Sequence, residues 1–296
     1  MSNSSVDPKT HLNKFLSSNP EIERLELLLP DMNGVFRGKS LPVSSSDKLV
    51  SDGIHLPLSF YMGDIWGHDV DAAGLALEVG DPDGIARPVI ESLAKVPWAK
   101  HPTAQIMMSV YNHDGSPVAY DPRAQLQSAV NRLAKMGLKA VVAAELEFYL
   151  IQARTKPTDR PLPPESACVA NLYDVQLMAE HEDLLRDIRL ACEQQAVPID
   201  LIIAEYGRGQ YEINLNHVDD PLLAADHAVL LKRIVRGCAR KHGLDATFLA
   251  KPLGNEVGSG MHVHASVLDD QGNNIFSAED GIGPKLQQAT AGLLDS

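Results

Sequence analysis

The chain has 296 residues, of which 44% are hydrophobic and 22% are charged, a composition typical of a folded protein with room for two domains. Its formal net charge is −13, and no run of lysine and arginine forms the clustered basic surface that nucleic acid binding requires, which excludes that class of function. Three widely spaced cysteines, no basic and apolar leader and no apolar run long enough to span a bilayer predict a cytoplasmic protein without membrane association.

The first 120 residues predict a terminal helix followed by a small β-rich region. Asp7 and Pro8 are typical of a helix start, and Asn19 with Pro20 of a helix end. Glycine, proline and aspartate are frequent over residues 44–117, where the apolar runs are short, as expected of short strands joined by long loops. The elements predicted are a helix over residues 7–20, strands over residues 22–29 and 35–41, and a turn over residues 31–34.

Longer helices and strands alternate beyond residue 121, which places a domain boundary there. The predicted class is α+β, with consecutive strands pairing mainly antiparallel. Aspartate–proline pairs are typical of helix starts and glycines of helix ends. The predicted helices cover residues 174–195, 220–242 and 284–294, with another opening at residues 120–123 and closing at Gly137. The predicted strands cover residues 138–150, 199–205, 210–215, 247–251 and 261–268.

The strand predicted at residues 138–150 carries two acidic side chains on one face. Because strand side chains alternate, Glu145 and Glu147 point one way while Leu146 and Phe148 point the other. Such a pair is usually a solvated face, so taken alone it is weak support for a site.

A second acidic pair flanks a short turn. The strand predicted at residues 199–205 ends in Glu205, two glycines turn the chain, and the next strand carries Glu212. So short a connection can direct both carboxylates toward one point, although an ordinary hairpin with exposed acids has the same pattern.

The third unusual segment is a glycine-led strand with alternating histidines. His262, His264 and Ser266 share one face of the strand predicted at residues 261–268. Imidazoles spaced in this way commonly bind a metal or a phosphate, and a pair of structural histidines is the alternative.

Together the three segments predict a divalent-cation site. If the four glutamates met in one cavity, two carboxylates about 7 Å apart would repel by roughly 2 kcal/mol at an effective dielectric constant near 20. Six such pairs reach on the order of 10 kcal/mol, comparable with the stability of a whole domain, so cations would have to neutralise them. Oxygen ligands with one imidazole suit Mg²⁺ or Mn²⁺ better than zinc, and two such ions beside a histidine are suited to phosphoryl transfer.

The ordered set of motifs resembles the glutamine synthetase superfamily, in particular its γ-glutamylpolyamine synthetase branch. The resemblance runs from about residue 21 to the C-terminus. Each motif is only moderately specific, whereas their order along the chain is distinctive. The matching segments are residues 31–39 (DMNGVFRGK), 145–148 (ELEF), 209–212 (GQYE) and 251–266, which end in GSGMHVHAS.

The helix predicted within residues 1–20 precedes the region of resemblance, which implies a β-grasp domain at residues 21–120 and a glutamine synthetase catalytic domain at residues 121–296. Members of the family continue well beyond the length of this chain, so we expect the catalytic domain to be incomplete. Family members assemble as stacked rings, usually dodecamers, with active sites between adjacent subunits. A homo-oligomer is therefore expected.

The resemblance also implies an ATP-dependent ligase that joins glutamate to an amine. ATP phosphorylates the side-chain carboxylate of glutamate, and the amine then attacks the γ-glutamyl phosphate to give an amide, ADP and phosphate. Two Mg²⁺ or Mn²⁺ ions are expected, the first held by Glu147, Glu205 and Glu212 and the second by Glu145 and His262. Glu212 would serve in catalysis as well.

Further roles come from the same resemblance. His264 and Ser266 would lie along the nucleotide. Gly258, through its backbone, and His262 would bind the glutamate substrate. Asp64 resembles the catalytic acid that the β-grasp domain offers to the incoming amine of a neighbouring subunit.

Two departures from the ammonia-using enzymes favour a larger amine. Val257 stands where those enzymes carry an asparagine that helps to bind glutamate, and the segment between Glu205 and Glu212 is one residue shorter than theirs. Putrescine, a longer polyamine, ethanolamine, an aromatic amine and ammonia all stay open as nucleophiles. The alternatives to a ligase are a catalytically impaired homologue with a structural or regulatory role and a metal-dependent hydrolase.

Overall fold

The computed structural model describes residues 7–70, 74, 79–156, 158–168, 172–279 and 281–295. The chain divides into two compact units, Met1–Gln125 and Leu126–Ser296. Within the described ranges, none of the helices combines the length and the apolar character needed to cross a membrane.

The described part of the N-terminal unit contains a seven-stranded sheet with helices beside it. Its elements are α1 (Pro8–Ser18), β1 (Arg24–Pro30), β2 (Phe36–Arg37), β3 (Ser40–Pro42), α2 (Ser46–Ser51), β4 (Ile54–Pro57), β5 (Asp83–Pro88), β6 (Ala94–Lys95) and β7 (Thr103–Tyr111), with short 3-10 turns at Val43–Ser45, Leu58–Met62 and Ile90–Ser92. The strand order is β2-β1-β7-β5-β4, with β3 also beside β1 and β6 also beside β7. The β1–β7 pair is parallel, and the other pairs are antiparallel.

Two features of the sequence account for the fold of the N-terminal unit: the cap at the start of α1 and the alternation of leucines along β1. The side chain of Asp7 accepts a hydrogen bond from the Thr10 amide at 2.9 Å, so α1 starts where the sequence predicts. Leu25, Leu27 and Leu29 of β1 are buried together in the core cluster. Burial of that alternate set of leucines fixes which face of the sheet is turned inward.

The single strand predicted over residues 35–41 is wrong, because β2 and β3 are separate. They are interrupted at Gly38, whose φ is +151°. A Cβ at this position would lie 1.8 Å from the carbonyl oxygen of Leu27. The chain therefore approaches β1 more closely than any residue with a side chain permits.

Five strands of the C-terminal unit, among those the structure describes, form one antiparallel sheet. Helix α3 (Pro122–Lys135) leads into this unit. The elements that follow are β8 (Lys139–Gln152), α4 (Val175–Glu180), α5 (Glu182–Gln194), β9 (Ile199–Ala204), β10 (Gln210–Leu215), α6 (Pro221–Lys241), β11 (Leu244–Thr247), β12 (Met261–Leu268), β13 (Ser277–Ala278), β14 (Gly281–Ile282) and α7 (Pro284–Leu294). The order is β11-β8-β10-β9, and β12 pairs with β8 along the same edge as β11.

Strands β11 and β12 pair with the same edge of β8, one after the other. The strand predicted over residues 247–251 is wrong. Strand β11 ends at Thr247, after pairing with residues 149–152 of β8. Strand β12 then pairs with residues 139–146 of the same edge. The chain between them leaves the sheet as a loop, residues 248–260.

The single helix predicted over residues 174–195 is also wrong, because α4 and α5 are separated at His181. This residue has a non-helical backbone, with φ −120° and ψ 26°. Its ring packs against the ring of Tyr211, with centroids 6.1 Å apart. A tertiary contact of this kind has no periodic signal in the sequence. The predicted helices at residues 220–242 and 284–294 are confirmed by α6 and α7.

Candidate metal centre

Strand register brings the predicted acidic and histidine residues onto one face of the C-terminal sheet. In the β8–β10 pair, Glu147 lies directly opposite Glu212, and Glu145 lies opposite Asn214. In the β8–β12 pair, His262 lies opposite Glu145. Because side chains alternate along every strand, all of these residues share a face, which we call the acidic face.

The opposite face of the same strands fixes this register. Leu146, Phe148 and Ile213 are each at most 2% exposed. A slip of one residue in the pairing would bury the glutamates and expose these apolar side chains, so the hydrophobic core holds the acidic face in place.

Glu145 is the centre of a hydrogen-bonded group on the acidic face. Its Oε1 accepts from Asn214 Nδ2 at 2.9 Å and lies 3.0 Å from His264 Nε2, while its Oε2 lies 3.0 Å from His262 Nδ1. Burial alone would raise the pKa of Glu145, but the hydrogen bonds and charges of His262 and His264 together outweigh it and hold the pKa below its usual range. Glu145 is therefore an ionised carboxylate flanked by two imidazoles.

Two further acids have raised pKa values: Glu212 of the acidic face and Glu205, which lies just after the end of β9. Burial first, and then the charges of Glu145, Glu205 and Glu147, raise the pKa of Glu212. Burial and the charge of Glu147 likewise raise the pKa of Glu205. The part of each shift that comes from neighbouring carboxylates is one that a bound cation would offset.

Three residues of the acidic face fit a single divalent ion. One ligand atom each from Glu145, Glu212 and His262 lies within 4.8 Å of the others. Atoms bound to one ion at the distances usual for Mg²⁺ and Ca²⁺ are at most about 4 to 5 Å apart, so the group could close on an ion with small movements. The buried Oδ1 of Asn214, which has no hydrogen-bond partner among the described residues, adds an oxygen beside them. The sequence assigned Glu212 to the first ion and the other two residues to the second, whereas this grouping places all three within reach of the same ion.

Two hydrogen bonds position Glu147, one to its carboxylate and one from its backbone amide. Its Oε2 accepts from Gln210 Nε2 at 2.9 Å, and its backbone amide donates to the Gly260 carbonyl at 3.2 Å. A Cβ at Gly260 would lie 2.9 Å from Glu147 Oε1, so the glycine leaves room for the carboxylate.

Glu205 reaches this neighbourhood through the tight turn that follows β9. Its amide donates to the Gln210 carbonyl at 3.0 Å, which extends the β9–β10 ladder by one residue. Gly209 has φ +76°, and a Cβ at Gly207 would lie 2.0 Å from the hydroxyl oxygen of Tyr149. The two glycines that suggested a turn in the sequence are therefore required by backbone conformation and by space.

The remaining predicted residues lie in different surroundings. Ser266 is further along β12, opposite Val141. Gly258 belongs to the loop over residues 248–260, where its carbonyl accepts from Gln210 Nε2 at 3.0 Å. Asp64 belongs to the N-terminal unit, where its Oδ1 accepts from the amides of Trp66 and His68 at 2.8 and 2.9 Å. The structure thus brings Glu145, Glu212 and His262 together with His264. Glu147 and Glu205 lie outside the group whose ligand atoms are within 4.8 Å of one another, and Asp64 stabilises its own turn.

Sequence reasoning missed three polar residues of the acidic face: Gln210, Asn214 and Tyr149. Gln210 and Asn214 stand two positions on either side of Glu212, so the alternation of the strand could have identified them. Tyr149 donates to the Val257 carbonyl at 2.7 Å. Burial first, and then the charges of nearby glutamates, raise the pKa of Tyr149 to about 12, so the hydroxyl keeps the proton that it donates.

Proteins of similar sequence belong to the family that the motifs resemble. Residues 119–296 match the protein family described as glutamine synthetase, catalytic domain. The chain is 39% identical over 291 residues to the γ-glutamylputrescine synthetase PuuA of Escherichia coli (strain K12), with 95% of this chain and 61% of that protein covered. It is 30% identical over 271 residues to the glutamate–isopropylamine ligase of a Pseudomonas species, with 88% and 58% covered.

Solved structures show the same fold. The structure of GmaS without ligand has a TM-score of 0.77 at 27% identity, with 95% of this chain and 63% of that chain covered. The crystal structure of a novel glutamine synthase homologue has a TM-score of 0.80 at 22% identity, with 93% and 62% covered. The chain spans about three fifths of the length of the curated relatives that it matches.

Proposed function

Since this chain belongs to the glutamine synthetase superfamily, we propose that it takes part in the ATP-dependent ligation of glutamate to an amine. The observation that carries the proposal is the cluster of Glu145, Glu212 and His262 on the acidic face, with one ligand atom from each within 4.8 Å of the others. Such a set of oxygen and imidazole ligands suits Mg²⁺ or Mn²⁺.

The proposed assignment of ligands to the two ions is the one that the family resemblance implies. In this assignment Glu147, Glu205 and Glu212 hold one ion, and Glu145 and His262 hold the other. The closeness of Glu212 to Glu145 and His262 supports a contact of Glu212 with the second ion as well. When bound, the two ions supply the positive charge that orients and neutralises the phosphates of ATP during transfer to the glutamate side chain. Asn214 and the two histidines keep Glu145 ionised and oriented, which prepares the site before the cations arrive.

The proposed places of the substrates also come from the family resemblance. His264 and Ser266 of β12 lie along the nucleotide, with His264 already 3.0 Å from Glu145. Gly258, through its backbone, and His262 contact glutamate. The segment of Gly258 is held to the sheet by the Tyr149 hydroxyl, which binds the preceding carbonyl, that of Val257.

The proposed nucleophile is an alkylamine, with a polyamine such as putrescine as the first candidate. The support is the 39% identity to a γ-glutamylputrescine synthetase and the 30% identity to a glutamate–isopropylamine ligase, both of which are named for amines other than ammonia. Val257 in the position of the glutamate-binding asparagine of ammonia-using enzymes agrees with this choice.

The N-terminal unit and the assembly of subunits also have proposed roles. Residues 21–120 form the β-grasp domain, which the parallel β1–β7 pair supports. In a ring of identical subunits, Asp64 faces the incoming amine of a neighbouring subunit. Ile65 and Trp66, which follow Asp64, are 64% and 79% exposed and are available for such a contact.

Product analysis tests the ligase proposal. The purified chain is incubated with ATP, Mg²⁺ and glutamate, and putrescine, isopropylamine or ammonia is added in separate reactions. We expect phosphate release that depends on the amine, together with the matching γ-glutamyl amide in the mass spectrum. The absence of any γ-glutamyl amide contradicts the ligase proposal, and phosphate release above background that is equal with and without every amine indicates hydrolysis instead.

A further inference from the structure

We propose that Gln210 is a positioning residue, which fixes the Glu147 carboxylate for cation binding and ties it to the backbone of the loop that contains Gly258. The proposal rests on the metal-dependent function proposed above. It concerns a residue for which neither the motifs nor the resemblance gave a role.

The amide of Gln210 makes hydrogen bonds through both its nitrogen and its oxygen in a buried position. The residue is only 2% exposed. Its Nε2 donates to Glu147 Oε2 at 2.9 Å and to the Gly258 carbonyl at 3.0 Å. Its Oε1 accepts from the Gly207 amide at 3.0 Å and lies 3.3 Å from the Tyr149 hydroxyl oxygen, whose one proton is donated to the nearer Val257 carbonyl at 2.7 Å. Each of these four groups is therefore held at a fixed place relative to the others.

Chemistry allows only one orientation of this amide. A backbone N–H, such as that of Gly207, can only donate, so the oxygen of Gln210 must face it. A carboxylate and a carbonyl can only accept, so the nitrogen must face Glu147 and Gly258. Exchanging the two ends of the amide would put like groups together at three of these contacts.

The position of Gln210 fits an indirect role rather than metal ligation. Its nitrogen is directed at Glu147 and has no lone pair to offer a cation. Its hydrogen bond occupies Oε2 of Glu147, which leaves Oε1, beside Gly260, as the atom that can face an ion. Groups that orient a metal ligand in this way typically change metal affinity by about 10- to 100-fold when they are removed.

The second hydrogen bond of Nε2 connects the metal ligand to the proposed glutamate pocket. The Gly258 carbonyl is bound by Gln210, and the carbonyl of the preceding residue, Val257, is bound by Tyr149. Tyr149 also touches Gln210, so the two side chains form one support under the loop. A shift of Glu147 is thereby coupled to the backbone that lines the acid substrate.

A double-mutant cycle on Mn²⁺ binding tests the proposal without depending on ligase activity. Mn²⁺ dissociation constants are measured by electron paramagnetic resonance for the unaltered chain, Gln210→Leu, Glu147→Gln and the double variant. Gln210→Met, which keeps the side-chain length, replaces the leucine variant should that one not fold. Gln152→Leu is the matched control, because Gln152 donates to the Pro163 carbonyl at the far end of β8.

The deciding result is whether the effects of the two substitutions on Mn²⁺ affinity add in the double variant. We expect Gln210→Leu to weaken Mn²⁺ binding by about 10- to 100-fold, as usual for an orienting group, and to have no further effect once Glu147→Gln is present. The Gln152 control is expected to bind as the unaltered chain does. Losses that simply add in the double variant, or normal binding by Gln210→Leu, overturn the role of Gln210. A failure of the unaltered chain to bind Mn²⁺ overturns the proposed metal site together with it.

Discussion

Glu147 of β8 and Glu212 of β10 lie directly opposite each other on antiparallel strands, with both side chains on the same face of the sheet. Like charges in this position destabilise a strand pair. The pair is nevertheless built into the centre of the sheet, where Phe148 and Ile213 of the same strands are fully buried. A site that gathers repelling carboxylates in this way is suited to binding cations.

Replacing Glu212 with glutamine separates the stability of the fold from metal binding. In the metal-free chain at neutral pH, E212Q is expected to raise the free energy of unfolding by about 0.2–1 kcal/mol, because it removes a cross-strand repulsion. Urea unfolding in the presence of a chelator measures this change. Mn²⁺ binding is expected to weaken in the same variant. The exposed Glu193 of α5 offers the control E193Q, which should change neither quantity, and a destabilised E212Q would contradict the electrostatic explanation.

The pH dependence of stability follows from the raised pKa values of Glu205 and Glu212. Both groups titrate above the ordinary value of 4.5 in the folded chain, so just above pH 4.5 the folded state binds more protons than the unfolded state. Stability of the metal-free chain therefore decreases as pH rises through that window. Glu145, with its lowered pKa, acts in the opposite sense, and its contribution is lost as pH falls.

The measurement is chemical unfolding in chelator at several pH values upward from 4.5. The double variant E205Q/E212Q is expected to lose most of the decrease. With saturating Mg²⁺ the trend should reverse in the unaltered chain, because cations bind the deprotonated carboxylates. An identical pH profile in the chain and the double variant would show that these two residues do not cause the effect.

A methyl group at Gly260 should damage the metal site more than the fold. Its Cβ would lie 2.9 Å from Glu147 Oε1, which is the end of a flexible side chain and can move away. We expect G260A to keep the free energy of unfolding within about 1 kcal/mol of the unaltered chain. Its Mn²⁺ affinity should fall by about 10-fold or more, as for other displaced ligands. The control is G254A, since a Cβ at Gly254 meets nothing within 4 Å. Equal affinities in the two variants would refute the steric argument.

The start of α6 provides a test of the scaffold that leaves the acidic face unaltered. Asp220 accepts hydrogen bonds from the amides of Leu222 and Leu223 at 3.0 and 3.3 Å. Removing this cap in D220A should lower the free energy of unfolding by about 1 kcal/mol. The neighbouring variant D219A, which breaks only an exposed ion pair with Lys139, should cost less. Thermal unfolding ranks the two variants, and the reverse order would exclude capping as the main contribution of Asp220.

The strands of the acidic face could be predicted because their chemistry repeats at the period of a strand. The predicted bounds at residues 210–215 and 261–268 are those of β10 and β12. In both strands, polar residues alternate with apolar ones. Asp220 and Pro221 marked the start of α6 equally well, because a cap is a local feature.

The misplaced elements depend on contacts between distant parts of the chain. Gly38 divides a predicted strand because of the Leu27 carbonyl, and His181 divides a predicted helix beside Tyr211. Gln210 contacts four residues, of which Glu147, Tyr149 and Gly258 are far away in sequence. Local patterns contain no information on such contacts.

The most direct test of the acidic face as a cation site is anomalous diffraction from crystals of the chain grown with Mn²⁺. The predicted result is an anomalous peak coordinated by Glu145, Glu212 and His262, whose ligand atoms lie within 4.8 Å of one another without the ion. A saturated crystal with no peak at these three side chains, or with Mn²⁺ bound only elsewhere on the chain, would contradict the account.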